Sequence, residues 1–167
     1  SDGNFSITAS QLTDGNYTLT VTSTDVLGNL SAASAGFTIE IDTNPPSIPA
    51  IITGGTLTNE ETQTIEGTAV AGTTVTLFSE DTSLGTDIAD SDGKFSFTET
   101  LSEGDNVLTV TATDAAGNES AASSEIIIEI DTTAPSTPSI TTTTSLTNNP
   151  TPIIEGTAEV GSTVTLF

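Results

Sequence analysis

Apolar and polar residues alternate with a period of two along most of the chain. In Val107-Leu-Thr-Val-Thr-Ala-Thr-Asp114, Leu108, Val110 and Ala112 share one side and the threonines take the other. Phe95 and Phe97 alternate in the same way, as do Val75 and Leu77, then Ile126, Ile128 and Ile130. Thr, Val and Ile dominate these runs, the composition of strands with one buried face. No helical period appears. Gly, Asn and Asp interrupt the pattern at short intervals, as the turns of an antiparallel sheet require. The spacing predicts seven strands in the middle of the chain, lettered A to G: 48–53, 63–69, 73–80, 84–89, 94–100, 106–113 and 124–131. The core is expected to be aliphatic plus Phe, and the class all-β.

The chain also repeats itself. Asp25 aligns with Asp114, Asp42 with Asp131, Glu66 with Glu155 and Phe78 with Phe167, each 89 residues apart, and 32 of the 54 aligned positions are identical without a gap. The start matches too, SDGNFSITAS at Ser1 against SDGKFSFTET at Ser91, with one residue inserted before Asp25. A unit of about 89 residues is the size of one antiparallel β-sandwich module, and the modules are expected in a linear array. Residues 43–131 make one whole module, 1–42 carry only strands E to G of a preceding one, and 132–167 only strands A to C of a following one. Each half would expose an apolar face and a sheet edge. Either the sequence is a window on a longer tandem array, or the C-terminal half of one chain completes the N-terminal half of the next, head to tail. Tyr17 shares the inward parity of Leu19 and Val21 near the start of strand F, where a tyrosine corner belongs; the central module has Asn106 instead, so that feature is not general.

Charge narrows the partners. Among 167 residues one is basic, Lys94, against 23 acidic ones, a net charge of -22. Nucleic acid and anionic membrane surfaces would be repelled, whereas cations are attracted and would relieve the self-repulsion. No apolar run approaches the roughly 18–20 residues of a membrane span. The chain has no Cys and no His, so the usual bases and nucleophiles are missing and an enzyme is not expected. Phe78, Phe95 and Phe97 have core parity, which leaves no exposed aromatic platform for a glycan.

With strands A to G alternating in direction, the DE loop Asp90-Ser-Asp-Gly93, the FG loop Asp114-Ala-Ala-Gly-Asn118 and the linker Asp42-Thr-Asn-Pro-Pro46 lie at one pole. Asp42, Asp90, Asp92, Asp114 and Asn118 are therefore expected to converge. Ca2+ takes six to eight oxygens from carboxylates, amides and carbonyls, and clustered carboxylates without basic neighbours suit it. Each residue also has a plainer reading. Asp-Gly is a leading hairpin-turn dipeptide, Asp114 and Asn118 can cap a loop, and Asp42 and Asp131 can be solvated linker residues. Glu66 and Glu155 alternate outward, and Glu60, Glu61, Glu103 and Asp105 fall at the far pole, where they could donate to the next junction but surface solvation is the expected role. The Thr141–Thr144 run reads as exposed strand or linker.

Four motifs, IEGTA-x-x-G-x-TVTLF (65–78 and 154–167), ADSDGKFSF (89–97), LTVTATDAAGNES (108–120) and EIDTTAP (129–135), give the whole chain a resemblance. It resembles the tandem bacterial Ig-like repeats of giant, calcium-dependent surface adhesins secreted by type 1 systems. The resemblance implies Ig-like sandwich modules in an extracellular stalk on the bacterial surface, with Ca2+ at the linkers stiffening neighbouring modules. Its ligands would be Asp42 with Asp90, Asp92 and Asp114. Asp131 would pair with the next module's equivalents, supplied by Asp2 and Asp25, with Asn29 in the place of Asn118, if another copy provides them. The alternatives are a self-complementing filament subunit and a glycan- or protein-binding module.

Overall fold

Between Ala50 and Ile130 two sheets face each other across a shared core. The computed structural model describes residues 3–143 and 146–167. In chain order its strands are β1 Gly15–Leu19, β2 Phe37–Ile41, β3 Ala50–Ile51, β4 Thr56–Thr58, β5 Thr62–Thr68, β6 Thr74–Ser79, β7 Thr82–Ile88, β8 Lys94–Thr100, β9 Gly104–Thr113, β10 Ile126–Ile130, β11 Ser139–Ile140 and β12 Gly156–Thr157. One sheet has the order β3-β5-β8 and the other β4-β10-β9-β6-β7. No described helix is long and apolar enough to cross a membrane.

The expected strands A to G correspond to β3 and β5–β10. Strand D is β7, and it stays with its hairpin partner β6, where the two-residue loop Glu80–Asp81 joins Ser79 to Thr82. So tight a loop forces the strands to pair, which puts β7 on the larger sheet. Its far end is tied back to β8, because Asp87 Oδ2 accepts from the Ser96 N–H at 2.9 Å. Strand β4 was not expected. It pairs parallel with β10, Thr56 opposite Ile128, so the sandwich is antiparallel except at this edge.

Period-two patterning builds the core. Ile65 from β5 and Phe95 and Phe97 from β8 meet Val75 and Leu77 from β6, Leu108 and Val110 from β9, and Ile128 and Ile130 from β10. Burying each such side chain contributes roughly 1.5–3 kcal/mol. The two Phe rings pack tilted at 58° with centroids 5.7 Å apart. The glycine of IEGTA has a steric reason: a Cβ on Gly67 would stand 2.1 Å from the Phe95 ring and 2.3 Å from the Ala50 carbonyl oxygen. Only a glycine lets β3 and that ring both close on β5.

Asn106 proves to do the work of the tyrosine corner. Tyr17 donates its hydroxyl to the Thr13 carbonyl at 2.9 Å, and Asn106, its repeat equivalent, donates Nδ2 to the Ser102 carbonyl at 2.8 Å. The corner is thus present in both units, made by different side chains. A second device was not anticipated. In Ser120-Ala-Ala-Ser123 the two hydroxyls accept from the Ala112 and Val110 N–H groups, at 3.0 and 3.1 Å. Ser31 and Ser34 do the same for Ser23 and Val21. These serines satisfy β9 where the chain has left the ladder.

The flanking segments carry fewer strands than their sequences predict. Residues 3–42 form β1 and β2 but no strand E, and the described residues of 132–167 form only β11 and β12, without strand C. The cause is pairing: E leans on B and C on F, and those partners lie outside each segment.

Candidate functional site: the linker junctions

The registers place three loops at one end of the sandwich. Thr74 is opposite both Thr113 and Ile88, and Thr68 is opposite Lys94, so loops 69–73, 89–93 and 114–118 leave together. In the last of these, Asp114 organises the turn. Its Oδ1 accepts from the Ala116 and Asn118 N–H groups, both at 2.9 Å, and its Oδ2 from Asn118 Nδ2 at 3.0 Å. Gly117 supplies the left-handed residue, at φ 91°. The Asn118 side chain, then its backbone N–H and those of Ala116 and Gly117, hold the Asp114 carboxyl below the usual carboxylate range.

Asn118 also reaches out of the module. Its Nδ2 donates to the Asp42 carbonyl at 3.1 Å, so one amide joins the FG loop to the incoming linker. From the other side Asp14 grips the next two linker residues. Its Oδ1 accepts from the Thr43 N–H at 3.1 Å and the Thr43 hydroxyl at 2.8 Å, and its Oδ2 from the Asn44 side chain. The linker is therefore clipped to the strands before it and to the loop after it.

The second linker repeats the upstream clip. Glu103, 89 residues after Asp14, takes Thr132 through its N–H at 3.1 Å and its hydroxyl at 2.7 Å, and the Thr133 hydroxyl at 3.1 Å. The Thr132 hydroxyl, then its N–H, hold the Glu103 carboxyl below the usual range, with Thr133 adding to this. Of the two readings open for Glu103, surface solvation and a place at the next junction, its hydrogen bonds support the second. The signal was in the repeat: both positions are acidic and both precede a glycine. Thr53 and Thr142 are a further pair the pattern understated. Their hydroxyls accept from the Glu66 and Glu155 N–H groups at 2.7 and 2.6 Å, tying strand A to strand B.

The expected ligand residues are brought together in part. Asp114 and Asn118 meet, and Asp42 joins them through its backbone carbonyl while its carboxylate accepts from the Asn44 N–H. Asp90 shares their pole, but its Oδ1 faces its own hairpin and accepts from the Asp92 and Lys94 N–H groups at 2.9 and 2.8 Å. Asp92 is exposed beside it. Asp25 and Asn29 reproduce the Asp114 turn, with Asn29 Nδ2 2.7 Å from Asp25 Oδ2. The Asn29 side chain and N–H hold Asp25 low in the same way. Asp131 accepts from the Thr133 N–H at 3.0 Å, as Asp42 does from Asn44. Asp2 lies outside the described residues. The donors are all oxygens, the chemistry of a hard divalent cation. Among the described residues, however, no three carboxylates stand close enough to share one ion.

The profile of the bacterial Ig-like domain matches residues 1–43 and again 51–132. The chain belongs to the bacterial Ig-like domain family. The two matched stretches are the two sides of the first linker, so the clip at Asp42 is a contact between Ig-like units. Among solved structures, the fibronectin(III)-like modules of Clostridium thermocellum CbhA are 16% identical with a TM-score of 0.51, over 71% of this chain and 64% of that one. That likeness is one of fold. A biofilm-associated protein BSP domain is 25% identical with a TM-score of 0.43, over 74% of this chain and 20% of that one. The Ig-like chain thus spans a fifth of one solved relative and just under two thirds of the other. No curated protein matches it significantly.

Proposed function

We propose that these Ig-like units are non-enzymatic spacer repeats of an extracellular bacterial surface adhesin, a stalk that carries an adhesive tip away from the cell, with Ca2+ stiffening its junctions. The observation that carries the reading is the linker held from both sides, by Asp14 before it and Asn118 after it. A binding module has no need of such a clip, whereas a spacer fails if its joints bend. Pro45, Pro46 and Pro49 favour the same end by fixing φ along the linker.

The calcium part is supported by charge and by donor type. Asp42, Asp114 and Asn118 would hold the ion, with Asp90 and Asp92 at the same pole, and carbonyl oxygens and water would make up the rest. The Asp42 backbone carbonyl and Asp114 Oδ2 already converge on the Asn118 side-chain amide, which would turn its Oδ1 to an ion taken up there. A cation there would also relieve the repulsion within a chain of net charge -22. Asp131 would serve the following junction, and Asp25 and Asn29 the preceding one.

Spin labels on either side of the linker test both parts at once. The chain has no cysteine, so Thr38→Cys with Thr98→Cys labels specifically. A distance distribution that is narrow only with calcium, and not with magnesium or EGTA, is the expected result. A distribution equally narrow in EGTA removes calcium and leaves the hydrogen-bonded clips as the stiffening device. One that is broad in every condition overturns the rigid spacer.

A further inference from the structure

The outer face of the larger sheet is unlike the rest of the surface. Thr86, Thr76 and Thr111 stand opposite one another in a row across β7, β6 and β9. On one side of that row Thr74 is opposite Thr113, and on the other Phe78 is opposite Thr109. Parity turns all of these away from the core, which takes Val75, Leu77 and Val110 from the same strands. Phe78, read as a core residue from its pattern, therefore stands on the outside and is only partly covered. No outward position of β6 is charged, nor is any on β9 from Val107 to Thr113. The one acid of β7, Asp87, is opposite the buried Val75 and reaches across to β8. In a chain with 23 acidic residues, this neutral sheet face is an exception.

The hydroxyl of Thr111 is an observation of another kind. Thr111 is 9% exposed, and among the described residues its Oγ1 is the one buried side-chain polar atom without a hydrogen-bond partner. Leaving a hydroxyl in that state costs free energy. One rotamer step about χ1 turns it outward, to a partner lying on the face.

We propose that this face binds a neutral, extended polysaccharide. A sugar chain carries hydroxyls on its edges and C–H groups on its faces. Threonine answers both, with a hydroxyl that donates and accepts and a methyl group beside it, and the Phe78 ring offers the C–H groups an apolar surface. Threonine side chains are stiff, so little freedom is lost when they are engaged. Charge sets the class of partner. The face has no ion for a charged ligand to pair with, and a chain of net charge -22 repels acidic polymers. A basic partner would settle on the surrounding acids instead. The pattern also recurs: Thr20, Thr22 and Thr24 precede Thr109, Thr111 and Thr113 by 89 residues, and Thr163, Thr165 and Phe167 follow Thr74, Thr76 and Phe78 by the same interval. One weak site per unit adds up to avidity along a row of units. The stalk then holds polysaccharide along its length as well as carrying a tip, a role that does not depend on calcium.

An NMR titration of the chain reads the face directly. Cellohexaose or mannohexaose, the neutral probes, should shift the amide resonances of Thr76, Thr109 and Thr111 at roughly millimolar concentration and leave those of β5 and β8 in place. Hexagalacturonate, the acidic probe, should shift none of them. Phe78→Leu should weaken binding about fivefold. Thr111→Val keeps the shape and removes the unbonded hydroxyl, so it should raise the melting temperature while weakening binding. A purely structural threonine would not move the two in opposite directions. Thr98→Val, outward on the other sheet, should leave binding unchanged. The absence of shifts with both neutral probes up to about 10 mM overturns the inference. So do equal shifts with hexagalacturonate, or binding that Phe78→Leu and Thr111→Val both leave intact. So does a mass that rises with concentration and shifts the same resonances without sugar, which would make the face a contact between copies.

Discussion

The motif IEGTA-x-x-G-x-TVTLF occurs twice and has two fates. At 65–78 it supplies strands β5 and β6, and Ile65, Val75 and Leu77 are completely buried. At 154–167 the same residue types are open: Ile154 is 42% exposed, Val164 64% and Leu166 70%. Local propensity is nearly equal in the two copies, so it does not account for the difference. What differs is the presence of β8 and β9 to pair with. Strands here are made by their neighbours, as expected when β-propensity reflects fit to a half-buried surface more than an intrinsic backbone preference. The largest predicted effect breaks this comparison at one residue type. Leu108→Ala removes a fully buried side chain and should cost about 3 kcal/mol in chemical denaturation. Leu19→Ala, its repeat equivalent at 38% exposure, should cost well under about 1 kcal/mol. Similar losses at both sites would mean that the first segment has a core of its own.

Alternation and the 89-residue repeat were enough to read the all-β class and seven of the strands. They did not reveal which sheet would take β7, because that depends on the Glu80–Asp81 loop holding it to β6. Nor did they reveal β4, three residues whose only support is a parallel edge on β10. At the site, topology correctly sent the 89–93 and 114–118 loops to one pole. It gave no direction for each carboxylate, and Asp90 turned out to face its own amides. Glu103 was legible only by comparing the repeats, since its contacts lie 29 and 30 residues away in the linker.

The corner residues sharpen the comparison at a smaller scale. Asn106 is buried, and its Nδ2 also lies 3.0 Å from the Gly104 carbonyl while its Oδ1 accepts from the Ser102 N–H at 3.2 Å. Asn106→Ala strips partners from buried backbone groups and should cost roughly 2 kcal/mol. Tyr17→Phe removes one hydroxyl from an open segment and should cost less than about 0.5 kcal/mol. Thermal unfolding of the two variants checks the ratio. If Tyr17→Phe proved the costlier, the first segment would be the better ordered, contrary to its exposed core residues.

The smallest effect concerns the junctions against the module they join. Hydrogen bonds to their charged forms hold Glu103 and Asp114 low. Groups depressed in this way stabilise the folded arrangement fully above the ordinary carboxylate value of about 4, and that contribution is lost as pH falls through the lowered value. Acid also neutralises the other carboxylates and so relieves the self-repulsion of the chain, which favours the compact module. The two regions should therefore part company as pH falls below the ordinary carboxylate range: the linker clips loosen while the central core stays folded. The Thr132 amide resonance, bonded to Glu103, should titrate with a midpoint below about 4.3, the ordinary glutamate value. Glu103→Gln should abolish that titration and leave the core amides of β9 protected from exchange. A midpoint at or above the ordinary value would show that the Glu103 clip does not persist in solution, and the second junction would then have to be held by other means, such as a cation.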